Sequence, residues 1–186
     1  MRRAIALAAL LTASCVPRTY PTDTLDVRSL GPGKWTAMRE PGWFKLMMPA
    51  APTVGETAME SPWGRFWLRT VTAQVGAERF SIYYAEPAQV PQGDELLKVA
   101  HDTWAAGRGV TITSERWTTR AGHPAYEIDL ALAPDSEFND ASTPAISRVV
   151  LVRDGARYFQ LGYAALSKKD DPERAARFFD SLRLEK

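Results

Sequence analysis

The sequence predicts an α+β protein: a central, mainly antiparallel β-sheet with helices packed against it. Three observations point there. Runs with strand periodicity outnumber runs with helical periodicity. Most strand runs are joined by links of hairpin length, which suit antiparallel rather than crossover connections. The two helical stretches follow strands instead of alternating with each of them, as they would in a doubly wound sheet.

The elements read in order as follows. Pro41-Gly42-Trp43 is a turn opening a short strand over residues 44–48, and Pro49, Pro52 and Gly55 end it. Residues 63–75 read as a strand with Phe66, Leu68 and Thr70 on one face and Trp67, Arg69 and Val71 on the other. Gly76-Ala77 is a tight link to a strand over residues 78–84. The period changes over residues 91–106, where Leu96, Leu97, Ala100 and Trp104 fall at helical spacing. Gly107-Arg108-Gly109 stops that helix. Strands over 110–117 and 125–132 flank a turn at residues 120–124. Residues 134–144 are polar and acidic, a loop. A hairpin about Arg153-Asp154-Gly155 joins strands over 146–152 and 156–163. The last helix carries Asp171 at its N-cap, Pro172 in its first turn and Glu173 at its positive end. Ala175, Ala176, Phe178, Phe179 and Leu182 form its apolar face, and residues 181–184 leave it as a short extended piece.

Length and composition fit one domain. The 186 residues can bury a core without crosslinks. One cysteine makes no internal disulfide and no cysteine-rich metal site. A net charge of +1 gives no long-range pull on nucleic acid or on anionic lipid.

The first residues read as a processing segment. Arg2 and Arg3 precede an apolar run over residues 4–13, too short to span a bilayer. Leu11-Thr12-Ala13-Ser14-Cys15 resembles the bacterial lipobox, with Leu11 one place early. The resemblance implies a Cys15 thioether to diacylglycerol, acyl (palmitate-type) chains, and Cys15 as the mature N-terminus. A thiolate is the nucleophile such a transfer needs. It also implies a bacterial cell envelope address; Val16 rather than an acidic residue after Cys15 implies the outer membrane, facing the periplasm, in a diderm host. An ordinary signal peptide with Cys15 incidental is the competing reading. The expected organisation is a signal peptide over 1–14, a lipidated flexible tether over 15–34 and a single domain over 35–186. Cutting the first 14 of 186 residues leaves 172, and losing Arg2 and Arg3 leaves 21 basic residues against 22 acidic, a net −1.

The body resembles the Mog1/PsbP-like fold group over residues 43–184. The resemblance rests on the order of the Pro41-Gly42-Trp43 turn, the hairpin, the Leu96–Trp104 helix pattern, Gly122-His123-Pro124, the Asp154-Gly155 hairpin and Phe178-Phe179-Asp180-Ser181-Leu182. It implies a sandwich with helices on both sides of the sheet, and it implies no reaction.

Reactive chemistry finds little footing. His101 and His123 are the two histidines; a hydrolase would need one of them beside a serine such as Ser81, Ser114 or Ser147, and no G-x-S-x-G elbow is present. His101 and Asp102 are helical neighbours and are expected to orient each other poorly. Asp135, Ser136, Glu137, Asn139 and Asp140 offer oxygen ligands without the spacing of a calcium loop. Six tryptophans are more suggestive. Trp67 and Arg69 could anchor a partner if exposed, but a fold covering both sheet faces places them in the core. Trp104 and Trp117 are further surface or pocket candidates. The resulting expectation is a non-catalytic envelope lipoprotein without cofactor, held to membrane lipid by its N-terminal acyl anchor and binding an envelope protein. A carrier for an apolar or aromatic ligand is the alternative, and a hydrolase a third.

Overall fold

The period-two runs hydrogen-bond into two antiparallel sheets. The computed structural model describes residues 25–29, 35–61, 64–87, 95–136, 139 and 143–185. Among them the strands are β1 (Asp26–Ser29), β2 (Thr36–Glu40), β3 (Phe44–Met48), β4 (Thr53–Ser61), β5 (Gly64–Val75), β6 (Glu78–Ala85), β7 (Val110–Arg120), β8 (His123–Leu132), β9 (Ala145–Asp154), β10 (Arg157–Leu166) and β11 (Arg183–Leu184). The helices are α1 (Glu95–Ala105) and α2 (Pro172–Asp180). The large sheet runs β4-β5-β6-β10-β9-β8-β7 and the small one β1-β2-β3-β11. The architecture is therefore the expected α+β one, a seven-stranded antiparallel sheet with two helices against it.

The hairpins close where the sequence supplies left-handed backbone. Gly76 and Gly155 each take φ +59° at the first position of a two-residue loop. Ala121 and Gly122 both have positive φ, 51° and 83°. This turn is tighter than the five residues expected, because Arg120 and His123 already pair across it.

Neighbouring residues of β9 show where the helices lie. Val149 and Leu151 pack with Leu97 and Trp104 of α1. Val150 and Val152 pack in the cluster that holds Ala175, Phe178 and Phe179 of α2 and Phe44 and Leu46 of β3. Successive strand residues point to opposite faces. So α1 covers one face of the large sheet, and α2 with the small sheet covers the other. The layer between the sheets is aromatic: Phe44 meets Tyr84 edge-on at 5.0 Å, and Phe80 meets Phe178 at 5.5 Å.

The last helix follows its sequence signals. Asp171 accepts from the Arg174 N–H at 2.9 Å, and Pro172 opens the first turn. Ser181 closes it, its hydroxyl donating to Phe178 O at 2.7 Å and accepting from Met47 N–H at 3.0 Å. The following β11 pairs with β3.

Part of the expected tether is a strand. Asp26–Ser29 pairs antiparallel with Thr36–Arg39 of β2, where polar composition suggests a loose linker. The signal peptide, Cys15, Trp63, the start of the first helical pattern, Glu137 and Asp140 lie outside the described residues. Among the described residues no helix is long and apolar enough to cross a membrane.

Candidate functional site

β5 changes its covered face partway along. Phe66 and Leu68 are buried on one side, Val71 and Ala73 on the other. Trp67 lies in the first half, on the face left open, and is 46% exposed. The expectation that this face is core is corrected at Trp67, since the cover over that face begins further along the strand.

Arg69 is on the same face and is engaged in the structure. Its Nη1 sits 3.3 Å from Glu40 Oε1 and its Nε 3.2 Å from Glu56 Oε1. Glu40 is buried and also accepts from the Tyr84 hydroxyl at 3.5 Å. Burial pushes the Tyr84 phenol upward, and the Glu40 charge adds to that. Arg69 thus ties β5 to β4 and β2, a structural task the sequence did not reveal because Glu40 is 29 residues away.

Trp104 is core. It is 5% exposed and packs in a cluster with Leu97, Ile128, Leu130 and Tyr158. Trp117 is different. It stands 55% exposed on the edge strand β7, its ring 4.7 Å from that of its cross-strand partner Tyr126. Tyr126 in turn meets His101 edge-on at 5.8 Å. His101 Nε2 lies 2.9 Å from Glu115 Oε2, and Nδ1 lies 3.0 Å from Asp102 Oδ1. Burial and the hydrogen bond to Glu115 push the Tyr126 phenol up to about 12. The His101 hydrogen bond holds the Asp102 carboxyl below its usual range, helped by Lys98 at 3.2 Å. The result is an aromatic step whose polar neighbours bind one another. The contact of His101 with Asp102 departs from the sequence expectation: the ring turns back between Asp102 and Glu115, so chain neighbours do meet.

The same geometry bears on the hydrolase reading. Carboxylates, not serines, hold both ring nitrogens of His101, and Asp154 Oδ1 lies 3.3 Å from His123 Nδ1. Ser81 and Ser147 are buried in the sheet. In the acidic loop, Asn139 spends its amide on Ala133 O at 2.9 Å and Thr143 O at 2.8 Å. Among the described residues no three His, Cys, Asp or Glu side chains are grouped to hold a metal ion.

Among the described residues, two surface clefts are lined by charged side chains. One, about 280 Å³, lies between α2 and β7–β9, where Glu127 accepts from Arg116 Nε at 2.8 Å and Arg120 Nε at 2.6 Å. The other, about 440 Å³, crosses the outer face of the small sheet and is lined by Arg28, Arg39 and Lys45 beside Ala37 and Met47. The pocket lined by tryptophans that a carrier would need is not formed at Trp104, which is packed.

No family model and no curated protein matches the chain. Among solved structures, it is similar to a protein of unknown function from Pseudomonas aeruginosa, with TM-score 0.40 and 13% identity over 77% of this chain and 90% of that one. It is similar to the T6SS immunity protein TplEi of the same organism, complexed with an "L" peptide, with TM-score 0.44 and 12% identity over 87% of this chain. There the chain spans 59% of the other's length. It is also similar to PsbP from Synechocystis sp. PCC 6803, with TM-score 0.41 and 10% identity over 93% and 99% of the two chains. All three likenesses are remote and low in identity.

Proposed function

We propose that this chain is a lipid-anchored, non-catalytic module of the bacterial cell envelope that contacts another protein through its exposed edge aromatics. The observation that carries the contact is Trp117, 55% exposed on an edge strand and braced by Tyr126. Tryptophan on a rigid element, with its neighbours already satisfied, is the kind of anchor that dominates protein interfaces. The anchor reading rests on Cys15, the single cysteine, at the end of the apolar run.

The experiment is cross-linking in membranes with the wild type, Trp117→Ala and Cys15→Ser. The reading expects one adduct that is lost on Trp117→Ala and depleted on Cys15→Ser. An adduct pattern unchanged by Trp117→Ala contradicts the contact assignment.

A further inference from the structure

We infer that the outer face of the small sheet is a seat for an anionic lipid surface, onto which the anchored domain settles; this rests on the lipid anchor proposed above. Alternation in β2 and β3 sends Met38, Glu40, Phe44, Leu46 and Met48 inward. What remains outside is basic. The strand registers set Asp26 opposite Arg39, Arg39 opposite Lys45, and Lys45 opposite Arg183, so one row crosses all four strands. Three of its four members are cations. Like charges directly opposite each other weaken a sheet, so the row departs from what stability alone would select.

One carboxylate relieves part of it. Glu185 Oε1 is 2.8 Å from Arg39 Nε and 3.2 Å from Lys45 Nζ. Glu185 Oε2 accepts from Arg39 Nη2 at 3.2 Å and Gly42 N–H at 3.3 Å. In the next row Arg28 pairs across to Ala37, and Ala37 to Met47. Arg28 is matched by Asp26 at 3.1 Å. Four cations thus share the face with two carboxylates. The mature chain as a whole carries −1, so the rest of it sums to a net negative charge while this face is net positive.

Position supplies the second argument. Ten residues lie between Cys15 and Asp26, and the eleven steps reach at most about 40 Å. The first described strand after the anchor is therefore β1, in this sheet. Side chains remain accessible: Arg28 is 78% exposed, Lys45 57% and Arg39 51%. An array of basic side chains over a small apolar floor of Ala37 and Met47 matches lipid phosphates at a headgroup boundary.

The test labels lysines on the full mature protein, carried by vesicles of phosphatidylcholine alone or with phosphatidylglycerol. Lys45 reports the face, and Lys98 on α1, across the large sheet, is the control. The expected result is acylation of Lys45 slowed about fivefold on the anionic vesicles and restored by high salt, with Lys98 unchanged. Arg28→Glu with Arg183→Glu leaves the Arg39–Glu185–Lys45 cluster in place and should abolish the protection while an unshifted melting curve shows the fold intact. Equal Lys45 labelling on both vesicles overturns the proposal, as does protection that survives the double variant or equal protection by soluble polyglutamate. Flotation with phosphatidylcholine vesicles reads the anchor separately. If the chain does not float, the anchor fails, and the Lys45 comparison on Cys15→Ser protein at saturating anionic vesicles still decides the face: protection supports it and none overturns it.

Discussion

Arg69 of β5 reaches Glu40 of β2 at 3.3 Å, and this ion pair joins the large sheet to the small one. Glu40 is 3% exposed, so removing its cation leaves a buried carboxylate with the Tyr84 hydroxyl at 3.5 Å. Arg69 itself is 41% exposed, which moderates the loss. Arg69→Ala should destabilise by about 1–2 kcal/mol in urea unfolding. Combining it with Glu40→Gln should cost less than the two single changes added together. An unchanged midpoint for Arg69→Ala would show that the sheets are joined by packing alone.

Asp171 caps α2 through the Arg174 N–H. Asp171→Ala should lower stability by about 1 kcal/mol, and Asp171→Asn should recover most of it, since an amide oxygen also accepts there. Thermal melts of the two variants separate the cap from the exposed Asp171–Arg174 pair; equal loss in both would assign the effect to charge.

Those signals were legible because they are local. The cap, the Gly76 and Gly155 loops and the apolar face of α2 each sit within a few residues of sequence. β4 is not legible in the sequence because Gly55, Glu56 and Ala58 are poor strand formers at an edge, and its pairing with β5 holds it there. β1 is not legible as a strand because its four residues Asp-Val-Arg-Ser gain their strand character only from β2. At the candidate sites the sequence places Trp67 and Arg69 in the core and leaves Trp104 and Trp117 as surface or pocket residues. Exposure depends on where α1 and the small sheet end, a tertiary matter, so Trp67 and Trp117 emerge at the surface and Trp104 in the core. The basic row of the small sheet was likewise hidden, because Asp26, Arg39, Lys45 and Arg183 meet only through register.

Glu185 gives a pH dependence. Its hydrogen bond to Arg39, with further help from Lys45 and the Gly42 N–H, holds its carboxyl at about 2 instead of 4.5. A carboxyl lowered on folding stabilises the fold above its unfolded pKa, and that contribution disappears as pH falls from about 4.5 toward 2. Carboxyl NMR should place the Glu185 midpoint near 2, and Glu185→Gln should flatten this part of the acid limb. A midpoint in the ordinary glutamate range would mean the Arg39 contact is not held in solution.

The tryptophans should divide by function. Trp117→Ala should change stability by no more than about 0.5 kcal/mol, while Trp104→Ala should cost about 3–5 kcal/mol. Denaturant unfolding of the pair checks this. A large loss for Trp117→Ala would make it a packing residue and remove the basis for an interaction role.

The envelope address stands most directly on the chemistry at Cys15. Mass spectrometry of the N-terminal peptide from protein isolated from membranes tests it. The expected species begins at Cys15 and carries a diacylglyceryl thioether with acyl chains; a peptide with a free Cys15 thiol would contradict the anchored reading.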